Sequence, residues 1–199
     1  LTDKKIFLYL VEKGNVMTIA VINRGISGSG KSTFNRILKA VAEEAGFTVA
    51  CHSTDEYFMV DGEYKFEQKK LGYFHGLNKG AFTKSLMDGV DIVICDNTNL
   101  RQREYNPYVK AARDNGSAVV AVVFYPDDYD KHVERNAHGV PEDVILRMMG
   151  TFSDNNATIG VDKEFCVFPE KFSEKKLQTI ATRIIEEYVR QGNGLWRST

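Results

Sequence analysis

From Gly25 to Ser32 the chain reads Gly-Ile-Ser-Gly-Ser-Gly-Lys-Ser, and Thr33 follows. A glycine, four residues, a second glycine, a lysine and a hydroxyl residue form a spacing with a physical rationale. A loop that curls its backbone N–H groups around phosphate oxygens needs glycine wherever a Cβ would clash or φ must turn positive. Lys31 then stands where its ammonium reaches the β- and γ-phosphates of a nucleotide, and Ser32 presents a hydroxyl to Mg2+. A helix starting here turns the positive end of its dipole to the anion. Gly25, Ser27, Gly28, Ser29, Gly30, Lys31, Ser32 and Thr33 are therefore expected to hold the phosphates of ATP.

Other residues suited to chemistry sit at the ends of apolar runs. The run Asp-Ile-Val-Ile-Cys (91–95) delivers Asp96, Asn97, Thr98 and Asn99. A carboxylate ending an apolar strand can hold Mg2+ opposite Ser32, or can merely cap the next element. Asn97, Thr98 and Asn99 either satisfy a tight turn or, with Arg101, touch substrate. Asp55 follows the short run Thr48–Cys51 inside His-Ser-Thr-Asp-Glu-Tyr-Phe. It is either a turn or capping residue or a general base beside the phosphate site. Arg135, His138 and Arg147 fall in a helix–break–helix pattern over 128–152; the arginines are either solvated or reach phosphate as parts of a lid.

These positions require an alternation of strand and helix. Met17–Asn23 reads as a buried strand, and Ile37, Leu38, Val41 and Ala45 recur at helical spacing until Gly46 stops them. Further strands are expected at 48–51, 91–95, 117–125 and 164–168, with a charged turn at 60–65 around Asp61-Gly62. A long helix is expected over 66–88, with Leu71, Phe74, Leu77, Ala81 and Leu86 on its buried face. Another over 102–115 accommodates Pro107 if it starts near Asn106. Ser173 can cap a last helix over 173–191, with Leu177, Ile180, Ile184 and Tyr188 as its buried stripe. Residues 1–13 fit either a short helix or an edge strand. The pattern predicts a three-layer α/β phosphate-loop fold of the kinase type, with a mostly parallel sheet and a helical lid. We expect a single domain over 1–199 with its core at about 17–152.

The chain has 199 residues, a formal net charge of −1, four histidines and three cysteines. That charge gives no global attraction for nucleic acid, so a polyanion would need a local basic edge; Arg101, Arg103, Arg135 and Arg147 are the candidates. Cys51, Cys95 and Cys166 lack metal-site spacing and predict buried free thiols in a reducing, cytoplasmic setting, with no structural metal. The longest apolar run near the start, Ile6–Val11, is too short to span a bilayer, so no membrane partner is expected. The chain opens on Leu1 with no initiator Met, which leaves room for a trimmed segment or a neighbouring domain.

Gly-Ile-Ser-Gly-Ser-Gly-Lys-Ser-Thr, His-Ser-Thr-Asp-Glu-Tyr-Phe with Gly-Glu-Tyr-Lys-Phe, Ile-Cys-Asp-Asn-Thr-Asn and Arg-Asn-Ala-His-Gly-Val-Pro-Glu-Asp-Val-Ile-Leu-Arg-Met occur in this order. Together they resemble the phosphate-loop kinase module of polynucleotide 5′-hydroxyl kinases and NEDD4-binding-protein-2-like proteins. The resemblance implies ATP and Mg2+ as cofactors, Asp55 as the general base for an acceptor hydroxyl, and Arg135 as a lid arginine on the transferring phosphoryl group. It departs at Phe58, where phage-type enzymes carry an arginine for the nucleic-acid end, and at His138, roughly where a second lid arginine would sit. The expected activity is phosphoryl transfer to a hydroxyl, with a DNA or RNA 5′ end favoured. A small-molecule kinase and a nucleotide-dependent regulatory module with little turnover are the alternatives.

Overall fold

The structure is a computed structural model that describes residues 18–135, 139–154 and 157–192. The expectations for residues 1–13, His138 and the tail with Trp196 lie outside the described residues. Strand β1, Ile19–Arg24, is buried along its whole length. A strand of Ile, Ala and Val with no polar alternation suits the middle of a parallel sheet covered on both faces. Around it lie β2 (Val49–His52), β5 (Ile92–Cys95), β6 (Ala118–Phe124) and β7 (Lys163–Val167), in the order β2-β5-β1-β6-β7. All four pairings are parallel, with Ile19 opposite Ile92 on one side and Ala118 on the other. The carboxyl ends of the strands therefore share one edge, where an open α/β sheet binds its ligands.

Helices close both faces. Helix α1 (Lys31–Glu44) lays Phe34, Leu38 and Ala42 on one face of the sheet, beside the last helix, α6 (Glu174–Gly192), with Leu177, Ile180 and Ile184. Ser173 Oγ accepts the Lys176 N–H at 3.2 Å, the expected cap. The side chain of Tyr188 lies outside the described set. Against the opposite face lie α2 (Leu71–Met87) and α3 (Gln102–Asp114), which contribute Phe82, Leu86, Tyr105, Tyr108 and Val109. At the carboxyl edge, Ile26, Leu100, Val123, Ile145 and Phe152 form a smaller cluster beneath α4 (Tyr129–Glu134) and α5 (Glu142–Ser153). Among the described residues no helix is long and apolar enough to cross a membrane. All three thiols are free; Cys95 is buried and the other two are half-buried.

Three expectations need correction. The long helix over 66–88 is a separate 3-10 turn, Gln68–Lys70, followed by α2. Its buried face is Asn78, Phe82 and Leu86, and Leu77 is exposed. Asn78 belongs inside because its amide donates to the Tyr108 hydroxyl at 3.0 Å, a polar contact that an apolar-periodicity argument misses. Helix α3 begins at Gln102, as its expected bounds have it, and not near Asn106, the start that would have accommodated Pro107, because Glu104 accepts the Leu100 and Arg101 N–H groups at 2.9 and 3.2 Å and fixes the earlier start. Pro107 therefore sits inside the helix. The charged turn at 60–65 is a hairpin of β3 (Met59–Val60) and β4 (Glu63–Tyr64). Asp61 and Gly62 both take positive φ, 53° and 81°, as a two-residue turn matched to strand twist requires.

Candidate active site

A cleft of about 780 Å3 opens at the carboxyl edge of the sheet. The loop 27–33 forms its floor, and Ser53, Asp55, Asp96 and Thr98 line one side. Asp127, with Lys131, His132 and Arg135 from the start of the 128–152 segment, lines another, with Tyr125, Val167, Pro169 and Phe172 as a more apolar wall.

The loop is held by contacts on both of its flanks. Gly25 donates its N–H to the Thr98 carbonyl at 2.9 Å. A Cβ on Gly25 would come within 2.9 Å of the Phe124 Cβ, so this glycine permits packing under the loop and does not line the cleft. Gly30, the N-cap of α1, takes φ 94°. Ser29 Oγ is buried and has no hydrogen-bond partner among the described residues, a polar atom on the cleft floor that a phosphate oxygen would satisfy. Lys31 Nζ donates to the Gly25 and Ile26 carbonyls at 3.0 and 2.9 Å. Burial lowers the Lys31 ammonium pKa, and the nearby Asp96 and Asp55 oppose that shift, which puts both carboxylates within electrostatic reach of the lysine.

Asp96 Oδ1 accepts from Asn23 Nδ2 at 3.3 Å, and the same amide donates to Asn35 on α1. Ser32 lines the same cleft, so a hydroxyl and an anchored carboxylate are available as oxygen ligands, the donor set that Mg2+ takes. Asp55 opens the 3-10 turn Thr54–Phe58 and accepts from the Tyr64 hydroxyl at 3.1 Å. Burial first, then the Asp55 charge and this hydrogen bond, push the Tyr64 phenol upward, so it stays protonated as a donor. Tyr64 thus orients the carboxylate expected to act as base.

Not every expected residue reaches the cleft. Asn97 turns inward: its Oδ1 accepts the Thr54 N–H at 3.0 Å, and its Nδ2 donates to Tyr108. Asn99, at φ 50°, is buried and donates to the Asn23 carbonyl at 2.8 Å. Both satisfy turns, and of the trio only Thr98 lines the cleft. Arg101 bonds Thr151 Oγ1 at 3.4 Å and lies outside the lining. Arg147 pairs with Asp143 at 3.0 Å one turn back on α5, with both side chains largely exposed. The basic edge expected from four arginines reduces at the cleft to Arg135, which Asp127 holds at 3.1 Å.

Sequence reasoning missed Asp127 and His132. His132 is buried; its Nε2 accepts the Asp127 N–H at 2.8 Å, and its Nδ1 donates to the Ser27 carbonyl at 3.1 Å. The ring thus pins the phosphate loop to the segment leaving β6. Asp127 lies well below the usual carboxylate range, at about 2, held there by the Asp128 N–H and then by Lys131 and Arg135. The signal for Asp127 was present: β6 is an apolar run that ends in Tyr-Pro-Asp-Asp at the same edge as Asp55 and Asp96. Nothing in the sequence marks Phe172, whose ring lies 2.5 Å from where a Gly30 Cβ would stand.

Comparison with known proteins fits this geometry. Residues 21–154 match the family model AAA_33, described as an AAA domain. Human NEDD4-binding protein 2 is 34% identical over 136 residues, 66% of this chain but only 7% of that protein. A chain of the Pnkp1/Rnl/Hen1 RNA repair complex superposes with a TM-score of 0.59 at 16% identity, covering 73% of this chain and 47% of that one. A gluconokinase from Sinorhizobium meliloti gives 0.54 at 15% identity, over 94% and 100% of the two chains. At such identities the two structures speak to the fold alone, and it is the three-layer phosphate-loop fold of kinases. The family match spans most of the chain and includes the loop, all three cleft aspartates and the 128–152 segment; the chain belongs to the AAA_33 family of AAA domains.

Proposed function

We propose that this protein transfers the γ-phosphoryl group of ATP to a hydroxyl acceptor, the favoured acceptor being the 5′-OH of a polynucleotide. The observation that carries the reading is the placement of Asp55 and Asp96 in one cleft with Lys31 and Ser32. In this scheme Lys31 leaves the Gly25 and Ile26 carbonyls for the β- and γ-phosphates, which offer it full negative charges instead of dipoles. Ser29 and the loop N–H groups take the remaining oxygens. Ser32 and Asp96 would hold Mg2+, whose charge would offset that of the β- and γ-oxygens. Asp55, kept in place by Tyr64, takes the acceptor proton as the hydroxyl oxygen bonds to γ-phosphorus and the bond to the β-bridging oxygen breaks, releasing ADP. Arg135 moves from Asp127 to the transferring group, so its charge is used mainly in the transition state. The free thiols suit a cytoplasmic setting.

One observation favours a small acceptor instead. Phe58, at the position where phage-type enzymes hold the nucleic-acid end, is 1% exposed, and Arg101 and Arg147 stay outside the cleft. The deciding experiment is radiolabel transfer from ATP to 5′-OH oligonucleotides and to a panel of small hydroxyl compounds, with Lys31→Ala and Asp55→Asn as blanks. Labelled oligonucleotide, lost in both variants, is expected. Labelling of a small compound alone overturns the polynucleotide acceptor, and turnover retained in both variants overturns the transfer mechanism.

A further inference from the structure

Beside the base-bearing turn, the hairpin and α2 expose a surface that the phosphoryl-transfer machinery does not use. Phe58 is buried at the centre of an aromatic cluster, with Phe66 at 5.0 Å and Phe74 at 4.8 Å between ring centroids. Phe74 also stacks on Tyr57 at 5.7 Å and meets Tyr73 at 5.8 Å. The outer members face solvent: Phe66 is 50% and Tyr73 67% exposed. The cluster starts in the turn that carries Asp55 and ends on the first turn of α2. Two large rings supported from behind by other rings, and open in front, make a stacking platform.

The chain that runs from the platform along α2 carries an excess of positive charge. Residues 65–84 contain five lysines, one glutamate and no other formal charge, in a chain whose net charge is −1. Lys65, Lys70 and Lys84 have carboxylate partners in Glu63, Glu67 and Asp88. Lys69 and Lys79 form no salt bridge among the described residues, and both are exposed. Along this stretch α2 carries Gly72 and Gly76 between the two lysines and Gly80 just beyond Lys79, and at each an added Cβ would meet nothing within 4 Å among the described residues. These glycines weaken the helix without any packing return inside the chain. They leave a strip along which a backbone can approach closely.

We propose that this surface is the path of a single-stranded nucleic-acid acceptor. Its first bases stack on Phe66 and Tyr73, and its downstream phosphates lie along the α2 glycine strip between Lys69 and Lys79. Sequence-tolerant stacking on aromatic rings combined with lysine contacts to phosphate is the general chemistry of single-strand binding. The inference rests on the polynucleotide reading above and adds the place and length of the binding track. From Leu71, where α2 begins just after Lys69, to Lys79 the helix rises about 12 Å, which matches about three to four stacked nucleotides at ~3.4 Å each.

The test uses 3′-fluorescein oligonucleotides with a free 5′-OH, two and eight nucleotides long, read by anisotropy and by label transfer from ATP. Wild type is expected to favour the octamer in both readouts. Tyr73→Ala should raise the Kd of both oligonucleotides about 5- to 150-fold, because both place a base on that ring. The pair Lys69→Ala with Lys79→Ala should reduce the slope of log K against log salt by about 1.4. Both sites are exposed, so circular dichroism should match wild type. Octamer binding that depends on these residues without label transfer supports the track and overturns the transfer reading. Label transfer with no length preference and no effect of the variants overturns the track while the transfer reading stands. Self-association of the chain through the same face, abolished by Gly76→Leu while oligonucleotide binding is unchanged, also overturns it.

Discussion

His132→Ala removes one ring and two hydrogen bonds that link the phosphate loop to the chain leaving β6. The Ser27 carbonyl and the Asp127 N–H lose their partner, at roughly 1–3 kcal/mol for each stranded group. Asp127 is half-buried, so water can recover part of its loss, and a total of about 2–3 kcal/mol is expected. The variant should also bind ATP more weakly, since Ser27 and Gly28 lie on the cleft floor. A pH series separates this mechanism from simple loss of packing. Burial lowers the His132 pKa below its ordinary value; Arg135 and Lys31 add to the lowering, while the Ser27 carbonyl and Asp127 oppose it. A base whose folded pKa is depressed binds more protons when unfolded, so its stabilisation is complete above the unfolded value of about 6.5 and is lost as pH falls below it. Between pH ~7.5 and ~5.5 this one group contributes a loss of at most about 1.4 kcal/mol, reached if its folded pKa lies well under the lower limit. Urea unfolding of wild type and variant at both pH values isolates the group, because every other titration is common to the two proteins. Parallel pH profiles, together with a variant less than ~0.5 kcal/mol below wild type, would refute the pin.

Gly30→Ala should cost at least about 1–2 kcal/mol, because φ 94° is unfavourable for alanine and the new Cβ meets the Phe172 ring at 2.5 Å. Adding Phe172→Ala should restore only the steric share, and full recovery by thermal or urea unfolding would show that φ carries no cost. Arg24→Met should cost about 3 kcal/mol, because the buried guanidinium donates to the Asn99 and Leu100 carbonyls at 2.9 and 3.3 Å. A loss below ~1 kcal/mol in urea unfolding would mean that those carbonyls find other donors. Arg135→Ala should lower kcat more than it weakens ATP binding, because in the proposed scheme the arginine leaves Asp127 for the phosphoryl group mainly in the transition state. An equal fall in both would assign it to ground-state binding.

The parts of the site that were legible in the sequence are those encoded by contiguous residues or by one rule. The phosphate loop is a single run of residues with a fixed spacing. Asp55 and Asp96 follow short apolar runs, and strand ends in a parallel sheet point to the ligand edge. The same rule applied to β6 finds Asp127, but the lid pattern drew attention to the arginines downstream. Arg147 had a visible alternative in Asp143, four residues earlier on the same helix, where an ion pair forms without any cleft. The face of α2 was misread because a buried Asn78 and three unpacked glycines break the apolar period. Arg24 gave no sign of burial: its partners are backbone carbonyls more than seventy residues away and Thr158, which only the folded chain brings together.

The amide of Asn97 joins parts of the molecule that are far apart in the chain. Its oxygen holds the turn of Asp55, and its nitrogen meets the Tyr108 hydroxyl, which the Asn78 amide also reaches. The base, the strand that delivers Asp96, and helices α2 and α3 are thereby fastened at one point. Asp61 and Gly62 at the hairpin tip are exposed and touch neither fastening, so in the proposed scheme the tip can vary beside the acceptor path without displacing Asp55. On that reading selectivity and chemistry are separately adjustable, provided that an exchanged hairpin tip keeps the Tyr64 hydroxyl on Asp55.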